Sequence, residues 1–77
     1  MNIVTKFNIG QFVHPIILGN RWFCDRFDTV ETIIVHKHYG VGYRLSHRPQ
    51  YTLPERDLFP TVEEAQAECD RRNAEAA

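Results

Sequence analysis

His36 and His38 stand one residue apart, and they are the residues in this chain most readily joined by a metal ion. On an extended strand, alternate side chains share a face about 6 to 7 Å apart, so two imidazoles there would need only a third ligand. His14, His47, Cys24 or a nearby acid are the candidates for it. A closed site takes three or four ligands, and histidines at a solvated strand end give the same pattern, so no metal and no cofactor is expected. Cys24 and Cys69 lie far apart with no C-x-x-C spacing, which reads as reduced, partly buried thiols rather than a redox or zinc motif. Asp25, Asp28 and Glu31 with His36 contain an acid and a base, but chance supplies such sets in any chain. No G-x-S-x-G, P-loop or H-E-x-x-H run is present, so the chain reads as a binding protein and not an enzyme.

Two other groupings point to binding. His36, Lys37, His38, Tyr39, Tyr43, Arg44, His47, Arg48 and Tyr51 mix cations with rings, a combination that holds phosphates and stacks bases. Lys37, Tyr39, Arg44 and Arg48 would carry that contact; the competing reading is a solvated hairpin with core tyrosines. The second grouping interleaves Trp22, Phe23 and Phe27 with Arg21, Asp25, Arg26 and Asp28. Apolar rings rimmed by charge are typical of protein-binding surfaces, with Trp22, Phe23, Arg26 and Phe27 as the expected contacts. Alternatively, Trp22 and Phe23 belong to the core of a twisted barrel.

The elements that position these residues follow from periodicity. Phe7-Asn8-Ile9-Gly10-Gln11-Phe12-Val13 reads as a turn feeding a half-buried strand over about 11–18, and Pro15 requires an edge or a bulge there. The pattern from Arg21 to Phe27 does not set a strand register, and Asp28-Thr29 reads as a break or bulge. Val30-Glu31-Thr32-Ile33-Ile34-Val35-His36 is a β-branched run with apolar groups on both faces, expected as a central strand. Strict alternation sends Ile33, Val35 and Tyr39 one way and Val30, Ile34 and His36 the other. Gly40-Val41-Gly42 reads as the loop into a strand with Tyr43 and Leu45 inward. His47-Arg48-Pro49-Gln50 then turns, and Tyr51-Thr52-Leu53 is a short strand stopped by Pro54.

The clearest local signal is Thr61-Val62-Glu63-Glu64, a capping box that starts a helix at Val62. Val62, Ala65, Cys69 and Arg72 form its narrow inner stripe, Arg71 and Arg72 complement the dipole in its last turn, and Asn73 ends it.

Two stretches carry a family resemblance: Phe7-Asn8-Ile9-Gly10-Gln11-Phe12-Val13, and Glu55-Arg56-Asp57-Leu58-Phe59-Pro60-Thr61-Val62-Glu63-Glu64-Ala65. They resemble small bacterial and bacteriophage proteins with SH3-like barrels related in architecture to KOW and Tudor modules. The resemblance implies a mainly β domain with one α-helix, a small SH3-like barrel of four to five antiparallel strands closed by a C-terminal helix. The barrel would span about 7–59 and the helix about 62–73 of a single domain over 1–77, with the acidic-Leu-Phe segment closing the barrel. It brings no catalytic residue, and it implies a phage- or prophage-type accessory protein that binds and modulates a bacterial host protein.

Composition bounds these readings. The chain has 77 residues, 43% of them hydrophobic, which suits one folded core and no second domain. Its formal net charge of −1 supplies no global positive field for membranes or polynucleotides, so any nucleic-acid contact must be local. No apolar leader or long apolar run is evident, and the expected location is cytoplasmic, with no membrane partner. A nucleic-acid-binding regulator of KOW-like type and a homo-oligomeric structural or assembly protein stand as alternatives. A homodimer would use the strand carrying Pro15 or the small-residue helix face.

Overall fold

The computed structural model describes residues 4–76, and the chain folds as a curled antiparallel sheet with one C-terminal helix. The elements run β1 (Phe12–Leu18), β2 (Trp22–Cys24), β3 (Asp28–His36), β4 (Gly40–Leu45), β5 (Arg48–Pro54), a 3-10 turn (Glu55–Asp57), β6 (Leu58–Phe59) and α1 (Val62–Ala76). Hydrogen-bonded neighbours follow the order β2-β1-β3-β4-β5, and β6 also pairs with β1.

β1 is the wall between two apolar clusters. Val13 points to the larger one, where Phe7, Val30, Tyr43, Leu45 and Leu58 are buried and Ile33, Val41 and Leu53 pack from outside. Ile16 points the opposite way, onto Ala65 and Cys69 of α1, with Trp22, Cys24 and Phe59 around them. The two-residue strand β6 serves both: Leu58 is opposite Pro15 and Phe59 opposite His14, so one side chain enters each cluster.

Pro15 does not mark a sheet edge. β1 pairs with β2 through Ile16↔Cys24 and with β3 through Val13↔Asp28, which slips the register by one residue where Pro15 sits. A proline, lacking an N–H, is tolerated at such a bulge. The chain break expected at Asp28-Thr29 falls earlier, at 25–27, and Asp28 instead begins β3 with its side chain buried.

A second irregularity, between Val30 and Thr32, corrects the facing of β3. Val30 pairs with Leu45 and Ile33 with Tyr43, so both face the larger cluster, whereas strict alternation put them on opposite faces. The extra residue, Glu31, resets the alternation. Nor is β3 central along its length: β1 flanks only its first residues, and from Glu31 onward the described partner is β4 alone. The hairpin turn is Lys37-His38-Tyr39, with Gly40, Val41 and Gly42 already in β4, and the next turn is only Ser46 and His47.

The capping box forms on its Thr61 side, with the Glu64 N–H donating to Thr61 Oγ1 at 3.2 Å. Ala65 and Cys69 are the buried face of α1, while Val62 remains 48% exposed. Asn73 does not end the helix, which runs to Ala76, so Arg71 and Arg72 lie before the last turn and do not complement its C-terminal dipole. Asn73 is engaged sideways instead: the Trp22 N–H donates to Asn73 Oδ1 (2.8 Å) and Asn73 Nδ2 donates to the Trp22 carbonyl (3.0 Å). Those two bonds occupy the outer edge of β2 as a neighbouring strand would. Among the described residues, no helix is long and apolar enough to cross a membrane.

Candidate functional site: a basic aromatic groove on the β3-β4-β5 ribbon

The β3-β4-β5 ribbon buries the face carrying Ile33, Val41, Tyr43 and Leu53, which leaves its other face to solvent. Across that outer face Ile34 pairs with Gly42 and Gly42 with Pro54, giving a low apolar floor. Gly42 keeps the floor low, because a Cβ there would meet Thr52 Cγ2 at 2.6 Å. Around the floor stand Arg44, Arg56, His36 and Tyr39, and the half-open groove has a volume of about 450 Å³. Among the described residues, no carboxylate lines it.

The rim is held locally. His36 Nδ1 accepts from the His38 N–H (3.1 Å) and the Tyr39 N–H (3.4 Å), which closes the hairpin turn and fixes the imidazole tautomer with Nδ1 as acceptor. The Tyr39 ring then lies 4.6 Å from the His36 ring at 40°, and it is 86% exposed. An aromatic ring held this openly beside two guanidinium groups can stack a planar ligand while the arginines take its negative charge. Among the described residues neither Arg44, Arg56 nor Lys37 joins a salt bridge, so their charge is not spent internally.

Of the residues expected to hold nucleic acid, Tyr39 and Arg44 line this groove and Lys37 is exposed in the adjoining turn. Arg48 is not available. Its Nη1 donates to Asp28 Oδ2 at 2.8 Å and its Nη2 to Asp25 Oδ2 at 2.7 Å. Arg56, which does line the groove, escapes a reading based on the hairpin because it is supplied by the 3-10 turn. One signal for the groove was present in the composition: from Thr29 to Pro54 the only carboxylate is Glu31.

The Asp28 cluster is structural. The buried carboxylate accepts from the Thr29 N–H (2.8 Å), the His47 N–H (3.1 Å) and Arg48, and meets His47 Nδ1 at 2.9 Å. Burial acts to raise its pKa, but the hydrogen bonds from His47 and Thr29 outweigh burial and hold it below the usual carboxylate range. Asp25 is likewise lowered, with burial opposed by the Arg48 contact.

The expected protein-contact residues are divided. Trp22 is half-buried against α1, its backbone held by Asn73 and its ring capped by Arg72 at 4.5 Å. Phe23 pairs across to Ile17, and Phe27 instead meets Phe12 edge-on at 5.5 Å with His14 nearby. Arg26 is exposed and lines a second depression, of about 440 Å³, with Phe27, His47 and Arg48. The His36/His38 pair is not a strand pair, since β3 ends at His36, and no three His, Cys, Asp or Glu side chains gather as metal ligands among the described residues.

Comparison with family models, with curated proteins and with solved structures finds no match to the chain.

Proposed function

We propose that this chain is a non-enzymatic binding module that holds single-stranded nucleic acid on the outer face of the β3-β4-β5 ribbon. The observation that carries this reading is the groove in which Arg44, Arg56, His36 and Tyr39 surround the Ile34/Gly42/Pro54 floor, with no carboxylate among the described residues that line it. Cations along a track with an open ring for stacking are what sequence-tolerant strand binding uses. For the architecture we propose an SH3-like barrel, supported by the curl of the sheet and by the Leu58-Phe59 pairing with β1 just before α1. A cytoplasmic location accords with a nucleic-acid ligand.

Fluorescence anisotropy with a labelled single-stranded oligonucleotide tests it. Binding is expected at low salt, with a salt slope that falls by about 1.4 in R44A/R56A as two phosphate contacts are lost. Gly42→Val raises the floor without changing charge and is expected to weaken binding while leaving the slope. Absence of binding at low salt, or binding indifferent to all of these changes, ends this reading.

A protein-directed role keeps one specific observation. Phe12 and Phe27, paired edge-on, remain 61% and 54% exposed beside Arg26. In that reading the chain is a phage-type accessory protein that binds and modulates a bacterial host protein. A stoichiometric host protein captured after nuclease treatment, and lost in F12A/F27A but not in R44A/R56A, would favour it.

A further inference from the structure

Among the described residues the sheet has outer edges at β2, β5, β3 and β6; β6 is only two residues long, and β2 and β5 are blunted. The β2 edge is occupied by the Asn73 side-chain amide, which takes both the N–H and the carbonyl of Trp22. β5 contains Pro49 and Pro54 and bulges away from β4 between its pairs at Arg48 and Leu53. Prolines and bulges of this kind are how sheets refuse further strands. The remaining edge, β3, carries its bulge at Glu31, and beyond it Thr32 to His36 run in regular register with no proline and no charged side chain. Its inner side pairs with β4, no described strand pairs with its outer side, and it is built of Thr32, Ile33, Ile34 and Val35, with Val35 52% exposed. A run of β-branched residues with a row of free backbone donors and acceptors is a ready template for another strand.

We infer that a second copy of this chain occupies that edge, the two β3 strands pairing antiparallel about a two-fold axis at Ile34. The sequence is self-complementary in this register. Ile34 meets Ile34, Ile33 meets Val35 of the other copy and Thr32 meets His36, which puts apolar on apolar on the inner face and opposes no like charges. Beyond the paired run, the bulge residue Glu31 of one copy and the turn residue Lys37 of the other lie at the same end, so opposite charges flank the seam at each end. A one-residue slip in either direction would set the inner-face residues of one copy against the groove-face residues of the other. The two-fold axis runs normal to the sheet, so both copies present the same face on the same side. The grooves floored by Ile34 and Gly42 then lie on one surface, a consequence separate from what the grooves bind.

Sedimentation equilibrium under reducing conditions, without nucleic acid, tests the dimer. A reversible monomer-dimer equilibrium is expected for the wild type. Ile34→Lys places two ammonium groups face to face on the axis and is expected to leave only monomer. Glu31→Lys and Lys37→Glu each oppose like charges twice per dimer and should weaken association roughly ten-fold. The double exchange E31K/K37E restores opposite charges and should recover most of the loss. Recovery cannot come from a general folding defect, and circular dichroism checks that I34K retains the fold. A wild type that stays monomeric at millimolar concentration, a dimer unaffected by I34K, or charge exchanges that simply add without rescue would each overturn the inference.

Discussion

Asp28 shows what a single residue does when burial and pairing compete. An unpaired carboxylate taken out of water is expensive, and here the His47 and Thr29 groups and the Arg48 guanidinium more than offset that cost. Replacing it with asparagine leaves the Arg48 charge facing a neutral amide and is expected to cost about 3 kcal/mol in urea unfolding. Because the Asp28 pKa is lower folded than unfolded, the unfolded chain binds more protons as pH falls, and stability is lost below about pH 4. D28N is expected to show a shallower acid-side slope than the wild type; equal slopes would mean that Asp28 contributes nothing to acid unfolding. The sequence marks Asp28 as a turn-type residue. Its use as acceptor for a turn 19 residues away depends on the sheet bringing that turn back.

At the scale of elements, local chemistry was readable where the partner is local and failed where it is distant. The Thr61 cap is a contact three residues long and is present. Asn73 looked like a helix stop because asparagine tolerates helix C-termini, yet its amide serves a strand 51 residues earlier, and the helix continues past it. N73A is expected to cost about 1 to 2 kcal/mol, since the Trp22 N–H and carbonyl both lose a partner. Hydrogen exchange at the Trp22 amide should quicken while that of β4 amides does not, and unchanged Trp22 protection would show the clamp to be idle. The bulge at Glu31 is of the same kind. Periodicity places side chains correctly until one extra residue enters, and nothing in the run from Val30 to His36 marks where it does.

Over the whole molecule, a formal net charge of −1 conceals segregation. α1 carries Glu63, Glu64, Glu68, Asp70 and Glu75 against Arg71 and Arg72, and it packs on β1, β2 and β6 rather than on the ribbon. Glu68 is held at about 2 by hydrogen bonds from Arg71 and then Arg72, and the negative excess of the helix comes from its other carboxylates, Glu63, Glu64, Asp70 and Glu75. On the ribbon, the buried Asp28 is paired with Arg48, and from Thr29 to Pro54 the exposed Lys37 and Arg44 face a single acid, Glu31. A phosphocellulose column at pH 7.5 is therefore expected to retain the protein at low ionic strength despite its negative net charge. K37A/R44A/R56A should pass through, and release of the wild type is expected as added salt shortens the Debye length below about 8 Å. Flow-through of the wild type would show that the ribbon generates no usable field.

The amino-acid sequence by itself determined the β-rich class, the inward Tyr43 and Leu45, the strand ending near Leu18 and the start of the helix. Each rests on a period of two or on a cap, both of which act between near neighbours. Only the tertiary structure decided which cations are free. Arg48 and Arg44 have the same chemistry and neighbouring positions, but Asp25 and Asp28 reach one and not the other, while Arg56 arrives beside Arg44 from a different element. Likewise Trp22 became packing and Phe27 became surface because α1 covers one end of β1 and stops short of the other. Charge availability and exposure are sums over contacts between distant segments, and no local pattern contains those sums.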